Sequence, residues 1–418
     1  MKTLFFIAMR SLRQHALSTL ITAFSVALAC GLMMGVFAIN TQTQDAFIID
    51  DTGFDAIVGA RGSKLQLVLN TMYHLETSPG NIPWSMYQEL ANNGFMVRAA
   101  IPYAVGDNYK GYRMVGTTAT LFDDFEYREG KVHEFADGAV FDSEKREAVL
   151  GSFVAHKTGL KVGDSFNAFH GLTYDPALIH EGEFTVAGVL KPTNTPTDRV
   201  IWTPIDSVFR MEGHVLRGGG TEFQADATQE IPDEHKEVSA IMLKLNGDMS
   251  GMMLSQGINH QGKDATMVWP IAVTMLEFFE KVGWMHKVLQ LVSYLVVLVA
   301  AGGILASIYN TMNERRREFA IMRALGARRR TVFSVIVLQS ALIALLGALM
   351  GFAVYAVIVA GAARIIREQV GVHLAIASYH PILWIAPAVM LGLGIVAGVV
   401  PAIKAYRTDV AANLTPST

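Results

Sequence analysis

Four stretches of this chain abandon the alternation of apolar and polar positions that marks surface helices and strands. Residues 16–44 (with an apolar core at 17–39), 288–312, 332–363 and 381–403 contain no Asp, Glu, Lys or Arg. Each reaches the roughly 20 residues that take a helix across about 30 Å of hydrocarbon. A surface helix of a soluble domain keeps a polar face over such a length, so the pattern predicts four membrane-spanning helices. Ahead of them, residues 1–15 alternate apolar and basic positions on a helical period. That places Phe5, Phe6 and Met9 in a membrane interface, with Arg10 and Arg13 at the headgroups.

Between the first two runs the periodicity is mixed. Residues 40–51 prolong the first helix outward, and 53–64 are glycine-punctuated and turn-rich. Residues 65–75 and 85–92 read as helices, the second with Ser85 as its cap, and 79–83 as a loop. Alternation and β-branched residues predict strands at 96–101, 112–117, 148–150, 184–190, 200–203 and 238–245, with a short glycine-ended helix at 153–159. Residues 213–237 are glycine-rich and then acidic, the composition of a mobile insertion. An amphipathic helix at 275–287 runs straight into the second span. The fold class is therefore a membrane protein: four transmembrane α-helices, with a large mixed α+β domain at 45–287 inserted between helices 1 and 2 and sized for two subdomains.

Charge orients this arrangement. Lys2, Arg10 and Arg13 precede the first span without an acid; residues 313–331 hold seven Arg against two Glu; Lys404 and Arg407 face Asp409 in the tail at 404–418. In a four-span chain these segments share one side, and an excess of Lys and Arg marks the cytoplasmic side. Both termini are expected in the cytoplasm, and 45–287 and the loop 364–380 outside, in a multi-pass arrangement. Residues 45–287 hold 20 Lys+Arg and 33 Asp+Glu, an acidic excess masked by the chain total of −3. Such a surface opposes binding to nucleic acid and is read as a means of solubility.

Several chemistries are missing. The chain has one cysteine, Cys30, inside the first span, so the inserted domain has no internal disulfide. Ala27-Leu28-Ala29-Cys30 has the outline of a lipoprotein cleavage box, but the apolar run continues beyond it, as in an uncleaved anchor. Ser25, Cys30, Gly31 and Gly35 give that span a small-residue side suited to close helix packing. No phosphate-cradling loop occurs; Gly59-Ala60-Arg61-Gly62-Ser63-Lys64 has the wrong spacing. Eight histidines in 45–260, among them His133, His156, His170 and His180, match no metal motif and read as scattered surface and loop positions, with metal binding by this domain an alternative. The spans carry almost no ionisable group, which opposes an ion-coupled carrier.

Four blocks resemble the MacB/FtsX-type permeases of ABC transporters: Ile7 to Arg13 with Leu17 to Thr22; Val149-Leu150-Gly151 and Gly159 to Asp164 with Phe184 to Leu190; Arg317 to Ala327; and Gly398 to Ala405. The tail, 50–87 and 213–237 depart from that likeness. The resemblance implies a permease of a bacterial inner membrane, without a fused ATPase domain. Such a permease is not itself an enzyme, and binds no cofactor, ATP being bound by the partner. It implies two copies of a cytoplasmic ABC ATPase, a second permease, commonly as a homodimer, and contacts with membrane lipids, with a periplasmic adaptor or lipoprotein as a further partner. It implies export or extrusion of lipoprotein, peptide or amphiphilic substrates by mechanotransmission; the alternative is a transducer that regulates a cell-envelope enzyme or senses antimicrobials without transport.

The coupling segment is 313–331, where apolar Phe319, Ile321, Met322 and Leu325 recur on a helical period before Gly326. The ATPase-coupling residues expected are Glu314, Arg317, Glu318, Phe319, Ile321, Met322, Arg323, Gly326 and Ala327. Phe319, Ile321 and Met322 serve as apolar anchors, and Glu318 and Arg323 set register. Arg328, Arg329 and Arg330 also fit simple topology and anionic-lipid contact.

Overall fold

Runs too apolar to end in water become helices longer than a bilayer is thick. The computed structural model describes residues 2–48, 53–123, 125–171, 179–211, 215–218, 220–224, 230–262, 264–370 and 379–407. The tail at 409–414, residues 49–52, residues 371–378 of the loop before the last span, and 213–214 and 225–229 of the expected insertion lie outside that set. The chain packs as two units: Met1–Thr43 with Val282–Ile365 and Leu374–Thr418, and Gln44–Lys281 with Ile366–His373. It opens with α1 (Lys2–Gln14) and α2 (Ala16–Ile48).

The inserted unit begins with β1 (Ala56–Ala60), α3 (Lys64–Thr71), β2 (Ile82–Pro83), α4 (Trp84–Asn92), β3 (Val97–Tyr109) and β4 (Tyr112–Thr117). It continues through α5 (Thr120–Asp123), β5 (Glu126–Arg128), β6 (Lys131–Val132), β7 (Phe135–Gly138), β8 (Glu147–Leu150), α6 (Ser152–Thr158), β9 (Ser165–His170) and β10 (Ile179–Leu190). After β11 (Ile201–Pro204) come α7 (Ile205–Phe209), β12 (Glu237–Val238), β13 (Ala240–Leu245), α8 (Asp248–Gln256) and β14 (Ala265–Val268).

One sheet orders them β14-β1-β13-β3-β4-β11-β8-β10-β7, and β9 pairs with both β10 and β3. Those two pairings close β3, β4, β11, β8, β10 and β9 into a ring. The seam is the short register Asp107↔His170 and Asn108↔Phe169. β3 serves twice: its first half pairs with β13 from Val97 to Tyr103, its second with β4 and β9. Side chains alternate between two apolar clusters. Met114, Leu150, Phe166, Phe184 and Ile201 fill one, and Ile57, Tyr103, Val115, Val149 and Trp202 the other. Both clusters lie within the inserted unit.

Several local expectations change. The stretch read as turns at 53–64 contains β1, buried along its whole length. Its alternate residues enter opposite clusters, so it reads as a continuous apolar run too short to show a period. The helix expected over 65–75 is α3, capped by Ser63, whose hydroxyl accepts the Gln66 N–H at 3.3 Å. Ser85 is not a cap: α4 starts after Pro83, whose fixed φ suits that position without a side-chain bond. The loop at 79–83 ends in β2, paired with β12. Helix α8 and strand β14, unforeseen, follow the last expected strand.

The remaining helices are α9 (Ile271–Glu314), α10 (Arg316–Ala324), α11 (Arg329–Val370) and α12 (Ile382–Arg407). α2, α9, α11 and α12 each contain a segment long and apolar enough to cross a membrane. α2 and α11 approach through glycine: a Cβ on Gly31 or Gly35 would meet Val354 or Ile358, and one on Gly347 or Gly351 would meet Val26 or Cys30. This is the small-residue packing expected of the first span, except that Ser25 faces outward and bonds Ile21 O at 3.1 Å.

Two histidines of the inserted unit are held neutral. Burial pushes His133, stacked on Tyr127 at 4.9 Å, down to about 4. Burial, then Arg113 and Arg199, push His74 down to about 3. Below the ordinary value near 6.5 the unfolded chain takes up protons that the folded chain refuses, so stability falls with acidification. The expected slope is about 1.4 kcal/mol per pH unit for each group. His133→Phe keeps the aromatic packing and should remove one group's share of that slope between pH 6.5 and 4, measured by thermal unfolding of the full chain.

Candidate coupling site

The coupling segment is two helices and a hinge residue. α9 ends at Glu314, Arg315 leaves helical geometry (φ −102°, ψ 12°), and α10 restarts at Arg316. α10 stops by chemistry written at its end. Gly326 takes φ +96°, its N–H donates to Arg323 O at 3.0 Å, and the Ala327 N–H donates to Met322 O at 3.0 Å. That pair of bonds is the left-handed glycine cap that satisfies the last carbonyls of a helix. Gly326 and Ala327 therefore act through the backbone.

Arg315 fixes where α10 sits. Its side chain is one-tenth exposed, its Nε donates to Glu318 Oε2 at 2.7 Å, and a terminal nitrogen donates to the Ser11 hydroxyl of α1. Its guanidinium also lies over the Phe319 ring, 5.4 Å from the centroid. Nearby, His15 Nδ1 stands 3.7 Å from Glu314 Oε2, and Lys404 of α12 bonds and covers Tyr309 of α9. Charged hydrogen bonds thus join the ends of four helices.

The nine expected residues divide by face. Phe319 is 7% exposed and belongs to the apolar core of the helical unit, with Met322 packed against it. Within the chain both pack α10 against the other helices. Arg317, Glu318 and Ile321 are exposed, with Ile321 at 44%, and Leu325, outside the expected set, is 83% exposed. Spacings of three and four place these on one stripe. Glu318 pairs within the chain, and Arg323 is partly buried with an interaction of its own. Arg315 is the positioning residue that pattern missed: in a run of three arginines nothing in the sequence marks it as one that turns inward.

The inserted unit carries a cavity of about 300 Å³ lined by Val105, Phe209, His170, Arg217, Glu237 and Ser239. His170 meets the buried Asp107 at 3.2 Å, and that hydrogen bond raises the imidazole above its ordinary value. Among the described residues no group of His, Cys, Asp or Glu is arranged to hold a metal ion.

The MacB-like periplasmic core domain matches residues 19–249, and the FtsX-like permease C-terminal domain matches residues 291–410. No curated protein matches the chain. The two domains in this order, with four apolar helices and a mixed α and β unit between the first and second, define the membrane component of an ABC-type transporter. The chain belongs to the MacB/FtsX-type permease family, and is an integral inner-membrane protein rather than an enzyme.

Arg315→Ala should destabilise the helical unit by about 1.5–3 kcal/mol, the range for hydrogen bonds to a charged group. Ile321→Ala, on the exposed stripe, should change it by less than about 0.5 kcal/mol. Thermal unfolding of both variants in detergent compares them.

Proposed function

We propose that the chain transmits work from a separate cytoplasmic ABC ATPase to its periplasmic unit. The observation that carries this reading is the two-faced character of α10. Its inner face is locked by Arg315, Phe319 and Met322, while Ile321 and Leu325 stand exposed beside Arg317 and Arg328. An apolar pair on a rigid helix, ringed by charge, suits insertion into a cleft of a folded partner. Glu314, Glu318 and Arg323 then set register at its rim. The unmodified chain would pair with a second permease, a homodimer in the simplest assembly, above two ATPases, with both termini in the cytoplasm.

Closure of the ATPases would press on α10 and be relayed along α9, a helix unbroken from Ile271 to Glu314. The spans lack mid-membrane carboxylates, which favours moving lipoprotein, peptide or amphiphilic cargo on the periplasmic side over threading it between the helices. Cargo is bound, on this reading, outside the membrane, and ATP only by the partner.

Ile321→Asp with Leu325→Asp should abolish co-purification of the ATPase from native membranes while leaving the amount of inserted permease unchanged. Undiminished co-purification overturns the docking role of α10. Protection of α10 from protease added to the cytoplasmic face of sealed vesicles overturns the orientation.

A further inference from the structure

We propose that the outer face of α8 is a soft-metal site for Cu(I), formed by the thioethers of Met249, Met252 and Met253. The three side chains are 69%, 55% and 50% exposed. They stand at i, i+3 and i+4 of α8, the spacing that puts side chains on one helical face with Cβ atoms about 5–6 Å apart. Each has three rotatable bonds and a polarisable sulfur, enough reach to converge on one ion.

The opposite face of α8 settles why the methionines point outward. Gly251 is buried against Trp269, so closely that a Cβ would strike the indole ring. The following turn is pinned to β14: the Asn259 amide donates to Met267 O at 2.9 Å and accepts the Met267 N–H at 2.9 Å. The methionine face is therefore presented by a fixed helix.

Ligand chemistry selects the ion. The chain's one cysteine, Cys30, lies in α2, so methionine supplies all the sulfur in the inserted unit. Thioethers carry no charge, do not compete for protons, and favour Cu(I) over hard cations and zinc. Asp248, exposed at the start of the same helix, adds negative charge beside Met249 without being needed as a ligand. A surface built only for apolar contact would be served equally by leucine, and that difference is the basis of the test. The site lies wholly in the inserted unit and does not depend on ATPase docking.

The full-length chain in nanodiscs is titrated anaerobically with Cu(I) held by a chromophoric chelator, and with Ag⁺ as a redox-inert probe read by the ε-methyl resonances of ¹³C-labelled methionine. Wild type should withdraw one equivalent of Cu(I) that the triple variant Met249→Leu, Met252→Leu, Met253→Leu does not. Three methyl resonances absent from the variant should move on adding Ag⁺. The leucines preserve apolar volume, and an unchanged thermal unfolding curve confirms that the fold persists. Equal withdrawal by both proteins, by Cys30 or other methionines, overturns the proposal, as does no withdrawal by either.

Discussion

A guanidinium removed from water must be answered by acceptors, and the geometry where α9 meets α10 follows from how Arg315 meets that demand. Leaving such a group buried and unpaired costs several kcal/mol. Ser11, Glu318 and the face of Phe319 surround it instead. Because those partners belong to α1 and α10, one side chain sets the position of α1 and the orientation of α10 together. The outward direction of Ile321 and Leu325 is then a consequence of what is held inward.

The helical unit uses a different economy away from that end. In hydrocarbon there is no gain from driving apolar surfaces together, so close approach has to come from shape. Gly31 and Gly35 of α2 and Gly347 and Gly351 of α11 supply it reciprocally, each receiving a side chain of the other helix. The inserted unit, by contrast, buries aromatic bulk: Trp202 is fully buried beside Tyr103 and Phe122, with ring centroids 5.5 and 6.2 Å away. Two cores thus obey two solvents within one chain.

The legibility of these features in the sequence tracks how strongly one physical rule acts alone. The four long apolar helices were plain because length and absence of charge suffice, and the stop at Gly326 because a left-handed cap favours glycine. The stretch of β10 from Phe184 to Leu190, where buried positions alternate with less buried ones, was also readable. β1 was not, since a five-residue strand buried on both faces has no period. Phe319 and Ile321 looked equivalent in the sequence; which one faces inward depends on Arg315 and α1, three hundred residues apart in the chain. Ring closure by β9 was equally invisible, because it rests on two residue pairs.

That closure restricts how the inserted unit can be approached. Each strand around the ring has a paired neighbour on both sides, so an incoming extended peptide finds no unpaired strand there. The main sheet's order leaves β14 and β7 as its outermost strands. Asn259 already takes the Met267 N–H and carbonyl at the edge of β14, so a polypeptide read through its own backbone would have to extend β7, and anything met elsewhere on the main sheet must be read by its side chains, its shape or its lipid.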